Sequence, residues 1–397
     1  MLHYVRVELR PREELRPLAG HPWIYANEAA KAHEKLSPGS LVEVVTSQGR
    51  FVGRGVASPA SKILIRLLTW DPSVEVDEGF VASRVQKAVE ARSSLSERHD
   101  TDGIRLIFGE ADGLPGVVVD SFGGKAVLSC HSAGMNPFVP VVARTLGQAG
   151  YGVVYERSAG ETRQKEGLPD SQGFLLGEAS FPWEFREGKA RFAVDPSQGQ
   201  KTGFYLDYRS AREAVARHAA GRDVLDTFCY QGAVSVRAAL GGARRVLGID
   251  SSEEAIRQAC GNAEQNGVGD RCEFRKADSF KALKAMRQEG STFGLIVLDP
   301  PPLARSVHDL AAGEAAFRRL ARQALDLLAP GGCLVASSCS HHFSWKSLED
   351  ALTQACLETG RRFILTGRLD QPEDHPVRIG IPETEYLRTV ILTEAAK

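Results

Sequence analysis

The chain has 397 residues, 43% hydrophobic, 25% charged and 7% aromatic, a globular composition that excludes disordered, collagen-like and disulfide-stapled chains. Lys plus Arg number 49 and Asp plus Glu 50, for a net charge of −1, so bulk charge gives no support to non-specific nucleic-acid binding. No run reaches the roughly 18 apolar residues of a membrane helix, the start lacks a secretion signal, and seven scattered cysteines without a Cys-x-x-Cys pair predict a cytoplasmic protein with no disulfide framework and no metal site.

Residues 1–73 alternate short apolar runs with turn residues and predict a small β-rich module. Leu41 to Val45 and Phe51 to Ala57, joined through Ser47-Gln48-Gly49-Arg50, read as a hairpin, and Ile63 to Leu68 as a further strand. Basic residues outnumber acidic ones in this stretch, which fits either a solvated face or a phosphate footprint. Residues 74–190 predict a second, α+β unit. Its elements are a helix over 80–98, strands at 104–108 and 117–120 around the turn Gly109 to Gly116, a helix over 137–150 and a strand over 152–156.

From residue 191 strands and helices alternate. Strands are expected at 223–226, 245–250, 272–275, 295–299 and 333–337, with helices at 232–240, 252–266, 279–289 and 309–329. Repeated βα units imply a parallel sheet with helices on both faces and ligands beyond the carboxyl ends of the strands.

Acidic residues gather at those ends: Asp226, Asp250, Asp278 and Asp299. The first turn, Asp226-Thr227-Phe228-Cys229-Tyr230-Gln231-Gly232, lacks a Gly-x-Gly-x-x-Gly fingerprint, which argues against a dinucleotide pyrophosphate. Asp250, followed by Ser251, falls where a carboxylate accepts both ribose hydroxyls of an adenosine. Asp278 and Ser279 are placed to meet the adenine amino group. Asp226, Phe228 and Gly232 are left for an ammonium-bearing amino-acid tail. Adenosine, ribose and amino acid together make S-adenosyl-L-methionine; another nucleotide is the competing reading.

Asp299-Pro300-Pro301 forms a rigid acceptor array suited to the exocyclic amine of a planar base. Cys339, within Ser337-Ser338-Cys339-Ser340, stands at the next strand end, either as a buried structural thiol or as a nucleophile. Carbon 5 of a pyrimidine accepts a methyl group once a thiolate has added at carbon 6. His341 and His342 follow and read most plainly as solvent-facing polar groups, while Cys229 is the weaker rival thiol.

Six stretches carry a resemblance. They are Phe108-Gly109-Glu110-Ala111-Asp112-Gly113-Leu114-Pro115-Gly116, the run Gly199 to Arg209, Val224 to Gly232, Phe293 to Pro301, Ser338-Cys339-Ser340 and Asp374-His375-Pro376. In these the chain resembles the RlmI-type class I methyltransferases, which modify carbon 5 of a cytosine in large-subunit ribosomal RNA. The resemblance implies an RNA-binding PUA domain in residues 1–73, a small central α+β domain in 74–190 and a Rossmann-like methyltransferase domain in 191–397. It gives Cys339 the nucleophile position and Asp299 the base-holding position, with Pro300 and Pro301 in the base pocket. The run from Gln200 to Arg209 would fold over the methionine end of the cofactor, with Lys201, Thr202 and Tyr205 as site residues. Two departures stand out: Pro302 and Leu303 replace a customary lysine and aromatic, and Cys229, Gln231 and Ala233 replace Ser, Thr and Gly. Amine methylation of a purine without a thiol, and a non-catalytic RNA-binding assembly factor, remain the alternatives. Self-association into a homodimer is compatible with the sequence and not required by it.

Overall fold

The computed structural model describes residues 2–30, 36–198, 202–304 and 306–395. The chain divides into two compact units. The first comprises residues 1–188, 193–206 and 373–384, and the second residues 189–192, 207–372 and 385–397.

The first unit contains two five-stranded sheets. Leu41–Val45 and Phe51–Ala57 form the expected antiparallel hairpin, and Ile63–Thr69 extends it. Val5–Glu8 adds a parallel edge and Trp23–Tyr25 an antiparallel one, neither anticipated from these short runs. Alternation buries Val42, Val44, Ile65 and Leu67 in one core. Gly55 is obligatory there, because a Cβ would fall 2.1 Å from the Arg66 carbonyl.

The second large sheet runs in the order Ser171–Leu176, Val154–Ser158, Lys125–Cys130, Val117–Phe122, Gly103–Phe108. Its one parallel pair, 125–130 with 154–158, is bridged by helix Val139–Gln148. The expected helix over 80–98 is two pieces, Glu78–Glu90 and Leu95–Arg98. The Ser93 hydroxyl donates to the Glu90 carbonyl at 2.8 Å and closes the first piece, as serines do by competing with the helical backbone. Arg66 on the first sheet and Glu166 after helix Glu161–Lys165 form a buried ion pair at 2.8 Å. A Glu166 oxygen also accepts from the Ala133 amide at 3.0 Å, so the charge is hydrogen-bonded as burial requires.

The second unit is built on a seven-stranded sheet. In chain order its elements are α1 (Arg209–His218), β1 (Asp223–Asp226), α2 (Ala233–Leu240), β2 (Arg245–Asp250), α3 (Glu253–Gln265) and β3 (Cys272–Lys276). There follow α4 (Ser279–Gln288), β4 (Phe293–Leu298), α5 (Leu310–Asp326), β5 (Leu328–Ser338), α6 (Trp345–Thr359), β6 (Phe363–Asp370) and β7 (Arg388–Glu394). The strand order is 3-2-1-4-5-7-6, with β7 antiparallel to both neighbours. The order reverses between β1 and β4, the place where open α/β sheets bind ligands. The α/β expectation is met. Beyond Ser338 the elements α6, β6 and β7 were not anticipated: β6 is an exposed edge strand whose side chains lack a clear two-residue alternation.

One core gathers Leu225, Ile249, Ile296, Leu298, Leu334 and Ala336 from the sheet against Leu283 of α4, Phe317 and Leu320 of α5 and Leu348 and Leu352 of α6. Strand side chains alternate, so the residues between them point to the opposite face. That second face carries the acids described next.

Candidate active site

Register brings the strand-end acids together. Asp226 pairs with Gly248 of β2 and Val297 of β4, and Asp250 pairs with Lys276 of β3. Asp250, Asp278 and Asp299 each lie two residues beyond one of those partners, so all four acids share one parity at the carboxyl edge. Val297 pairs with Val335, so Ser337 continues the same parity on β5, and Cys339 follows directly after the strand's end.

Asp226 is the most buried of the four, 2% exposed. Its carboxylate accepts from the Ser235 hydroxyl of α2 at 2.8 Å, and no cation among the described residues pairs with it. Burial, with a further push from Asp250 against the relief of Ser235, raises its pKa to about 7. A buried acid in this condition is a seat for positive charge.

The loop after β1 is held from β2 and β4. Thr227 donates its amide and hydroxyl to the Val297 carbonyl, at 3.1 and 2.8 Å, and the Cys229 amide donates to the Ile249 carbonyl at 2.9 Å. Tyr230 takes a left-handed φ of 46°, which turns its amide onto an Asp250 oxygen at 3.0 Å. The other Asp250 oxygen accepts from the Ser252 amide at 2.9 Å. Asp250 is thus oriented by two backbone donors with acceptor capacity to spare. Gly232, at φ +72°, precedes α2, and a Cβ there would meet Ala259 at 2.8 Å. Phe228 is half-buried and packs on the core of the opposite face, while Ser251 is exposed beside Asp250.

Asp278 caps α4, accepting from the Lys281 amide at 3.0 Å through one oxygen. Ser279 is buried and donates its hydroxyl to the Thr227 carbonyl, tying the β3 and β1 loops together. That proton is therefore committed within the protein.

Asp299 and Pro300 follow β4 directly. The Cys339 thiol lies 4.0 Å from the Pro300 carbonyl, and Cys339 is partly exposed. Ser340 donates to the Ala304 carbonyl at 2.6 Å, which fastens the cysteine loop to the segment containing Pro302 and Leu303. Pro301 is exposed at the edge. The rival Cys229 is buried, and its thiol is pushed far up by burial and by the Asp226 and Asp250 charges. His341 and His342 are both exposed, and the His341 ring lies 5.6 Å from that of Tyr386.

Two residues of this face were missed from the sequence. The Tyr208 hydroxyl and the Ser337 hydroxyl are 2.7 Å apart, and Ser337 meets Thr389 at 2.8 Å. Burial, then the Asp299 charge, hold the Tyr208 phenol well above its usual pKa, so it stays neutral. Their signal lay in two quoted stretches, but only the sheet register shows that they meet. Thr202 and Tyr205 belong to the first unit, where the Thr202 hydroxyl donates to Asp120 at 2.5 Å and Tyr205 is half-buried. Lys201, with Gly199 and Gln200, lies outside the described residues.

Among the described residues no helix is long and apolar enough to cross a membrane. A family profile described as S-adenosylmethionine-dependent methyltransferase matches residues 136–377, and a PUA-like domain profile matches residues 7–70. The chain is 35% identical over 391 residues to ribosomal RNA large subunit methyltransferase I of Shewanella denitrificans, covering 98% of each. It is 36% identical over 390 residues to the protein of the same name from Cronobacter sakazakii, covering 97% of this chain and 98% of that one. A solved structure of a Streptococcus mutans protein shares the fold, with a TM-score of 0.84, 20% identity and coverage of 98% of this chain and 100% of that one. With the strand order, the acid-lined edge and these full-length matches in agreement, the chain belongs to the family of S-adenosylmethionine-dependent methyltransferases that includes the ribosomal RNA large subunit methyltransferase I proteins.

Proposed function

We propose that the protein methylates carbon 5 of a cytosine in large-subunit ribosomal RNA through a transient covalent bond to Cys339. The observation that carries this reading is the approach of the Cys339 thiol to the Pro300 carbonyl, beside Asp299, on the face that presents Asp226 and Asp250. The names of the 35–36% identical relatives support the ribosomal RNA substrate. Seven free thiols suit a reducing cytoplasm.

S-adenosylmethionine, when bound, supplies an electrophilic methyl group. Asp226 would meet its positive end, Asp250 would accept from the ribose hydroxyls and the second oxygen of Asp278 would accept from the adenine amine. The target base leaves its stack at a cost of roughly a few kcal/mol. Asp299 and the proline carbonyls accept from the exocyclic amine and hold the ring edge-on. The Cys339 thiolate would bond to carbon 6, making carbon 5 enamine-like and able to take the methyl group as the sulfonium's sulfur–methyl bond breaks and leaves a neutral thioether. Loss of the carbon 5 proton and cleavage of the sulfur–carbon bond then restore the aromatic ring and the thiol.

The test is Cys339→Ala, assayed on unmodified rRNA with nucleoside analysis of the product. We expect 5-methylcytidine from the parent protein, none from the variant, and unchanged S-adenosylmethionine affinity by calorimetry. Undiminished 5-methylcytidine from the variant overturns covalent catalysis. A methylated purine amine from both proteins assigns the Asp299 pocket to amine chemistry instead.

A further inference from the structure

Phe108 to Gly116 and Asp374-His375-Pro376 both belong to the first unit, and there they build one structure. The Asp374 carboxylate accepts from the Arg105 amide at 3.0 Å, and its backbone carbonyl accepts from Arg92 at 3.3 Å. Arg92 in turn grips Asp112 through both guanidinium arms, at 2.7 and 2.9 Å. Asp112 also accepts from the Phe108 amide at 2.6 Å, and the His375 ring rests 5.2 Å from that of Phe108. Asp374 and His375 are fully buried, so the loop above them is rooted.

This foundation carries two further arginines over the turn Gly109–Asp112. Arg84, from helix Glu78–Glu90, stacks over Phe80 with 5.1 Å to the ring centre, and its Nη1 sits where a Cβ on Gly113 would come within 2.8 Å. Arg378, from the rooted loop, reaches the Glu110 carbonyl at 3.5 Å. Neither guanidinium pairs with a carboxylate among the described residues. The acids of this neighbourhood are engaged elsewhere: Glu110 accepts from the Trp23 indole at 2.9 Å, Asp112 holds Arg92, and Glu383 meets His21 at 3.1 Å. The two charges feel each other, since burial and the Arg378 charge both lower the Arg84 pKa. Beside them Val377 and Ile379 are exposed, the latter completely.

We propose that Arg84 and Arg378 form a clamp for a backbone phosphate of the RNA substrate. Planar guanidinium forks suit phosphate oxygens, and an anion between them relieves their repulsion. A chain of net charge −1 has no general field to draw in RNA and must bind it through local clamps of this kind. The exposed Val377 and Ile379 give the neighbouring nucleotide an apolar surface. This site rests on the RNA-substrate reading above.

The experiment measures binding of the full chain to unmodified large-subunit rRNA as a function of salt, for the parent and for Arg84→Gln with Arg378→Gln. Each lost phosphate contact makes the slope of log affinity against log salt shallower by roughly 0.7 to 0.9. The double variant, which loses that one phosphate contact, is expected to lose roughly 0.7 to 0.9 of slope and to bind about tenfold more weakly at 0.1 M salt, with unchanged S-adenosylmethionine affinity. Arg378→Gln alone, on the exposed loop, loses about half of that slope, and the paired Lys substitutions retain it. An unchanged slope in the double variant, while the parent binds rRNA, overturns the clamp alone. A parent protein that neither binds nor methylates rRNA overturns the functional reading and the clamp with it.

Discussion

Asp226 shows how burial sets the charge state of one side chain. Its pKa is raised by burial, so the folded state holds a proton that the unfolded chain has already lost. The stability it contributes is full below the unfolded value near 4 and is lost as pH rises through about 7. Thermal melts of the cofactor-free protein should therefore show a pH dependence between these limits that Asp226→Asn flattens. In the proposed binding mode the cationic end of S-adenosylmethionine would reverse the preference and favour the ionised acid. Titration calorimetry near pH 7 in buffers of different ionisation heat should record proton release on binding by the parent and none by the Asn variant. The acids themselves were legible, because a strand-end carboxylate needs only its place in a βα pattern. The commitment of Ser279 to the Thr227 carbonyl and the capping by Asp278 were not, because each depends on how two loops meet.

Single elements depend on equally specific contacts. Gly232 starts α2 in a left-handed conformation with no room for a Cβ. Gly232→Ala should cost roughly 1–3 kcal/mol in a denaturant titration and weaken S-adenosylmethionine binding, since the Asp226 loop would have to shift. In the first unit, Arg66→Ala leaves Glu166 buried without its cation and should destabilise by about 3–5 kcal/mol. Replacing both by Met and Leu should cost much less, which a double-mutant cycle read by chemical unfolding will show. Glu166 is held below its ordinary pKa although burial opposes this, because Arg66 outweighs it. That contribution is present above about pH 4.5 and disappears as acid protonates it. Strands with alternating or uniformly apolar patterns, such as 41–45 and 293–298, were readable from composition alone. Edge strands such as β6, and helices interrupted by serine pairs, were not, because their boundaries come from pairing and local hydrogen bonds.

The same division holds for the whole molecule. The order of βα units announces a ligand edge, but the chain crosses between its two units at 188, 192, 206, 372 and 384, a weave with no signature in composition. It is this weave that places residues 373–384 with the first unit and leaves β6 and β7 in the second. On the proposed mechanism the second unit holds a base against Cys339 while its carbon 5 is methylated. Large-subunit rRNA transcribed with 5-fluorocytidine tests it most directly, because fluorine at carbon 5 cannot leave as a cation and the final elimination stops. With S-adenosylmethionine present, the account predicts a covalent protein–RNA complex stable to denaturant, with mass spectrometry placing the nucleotide on Cys339 and no complex from Cys339→Ala. Turnover without any trapped complex, or an adduct on Cys229, would contradict it.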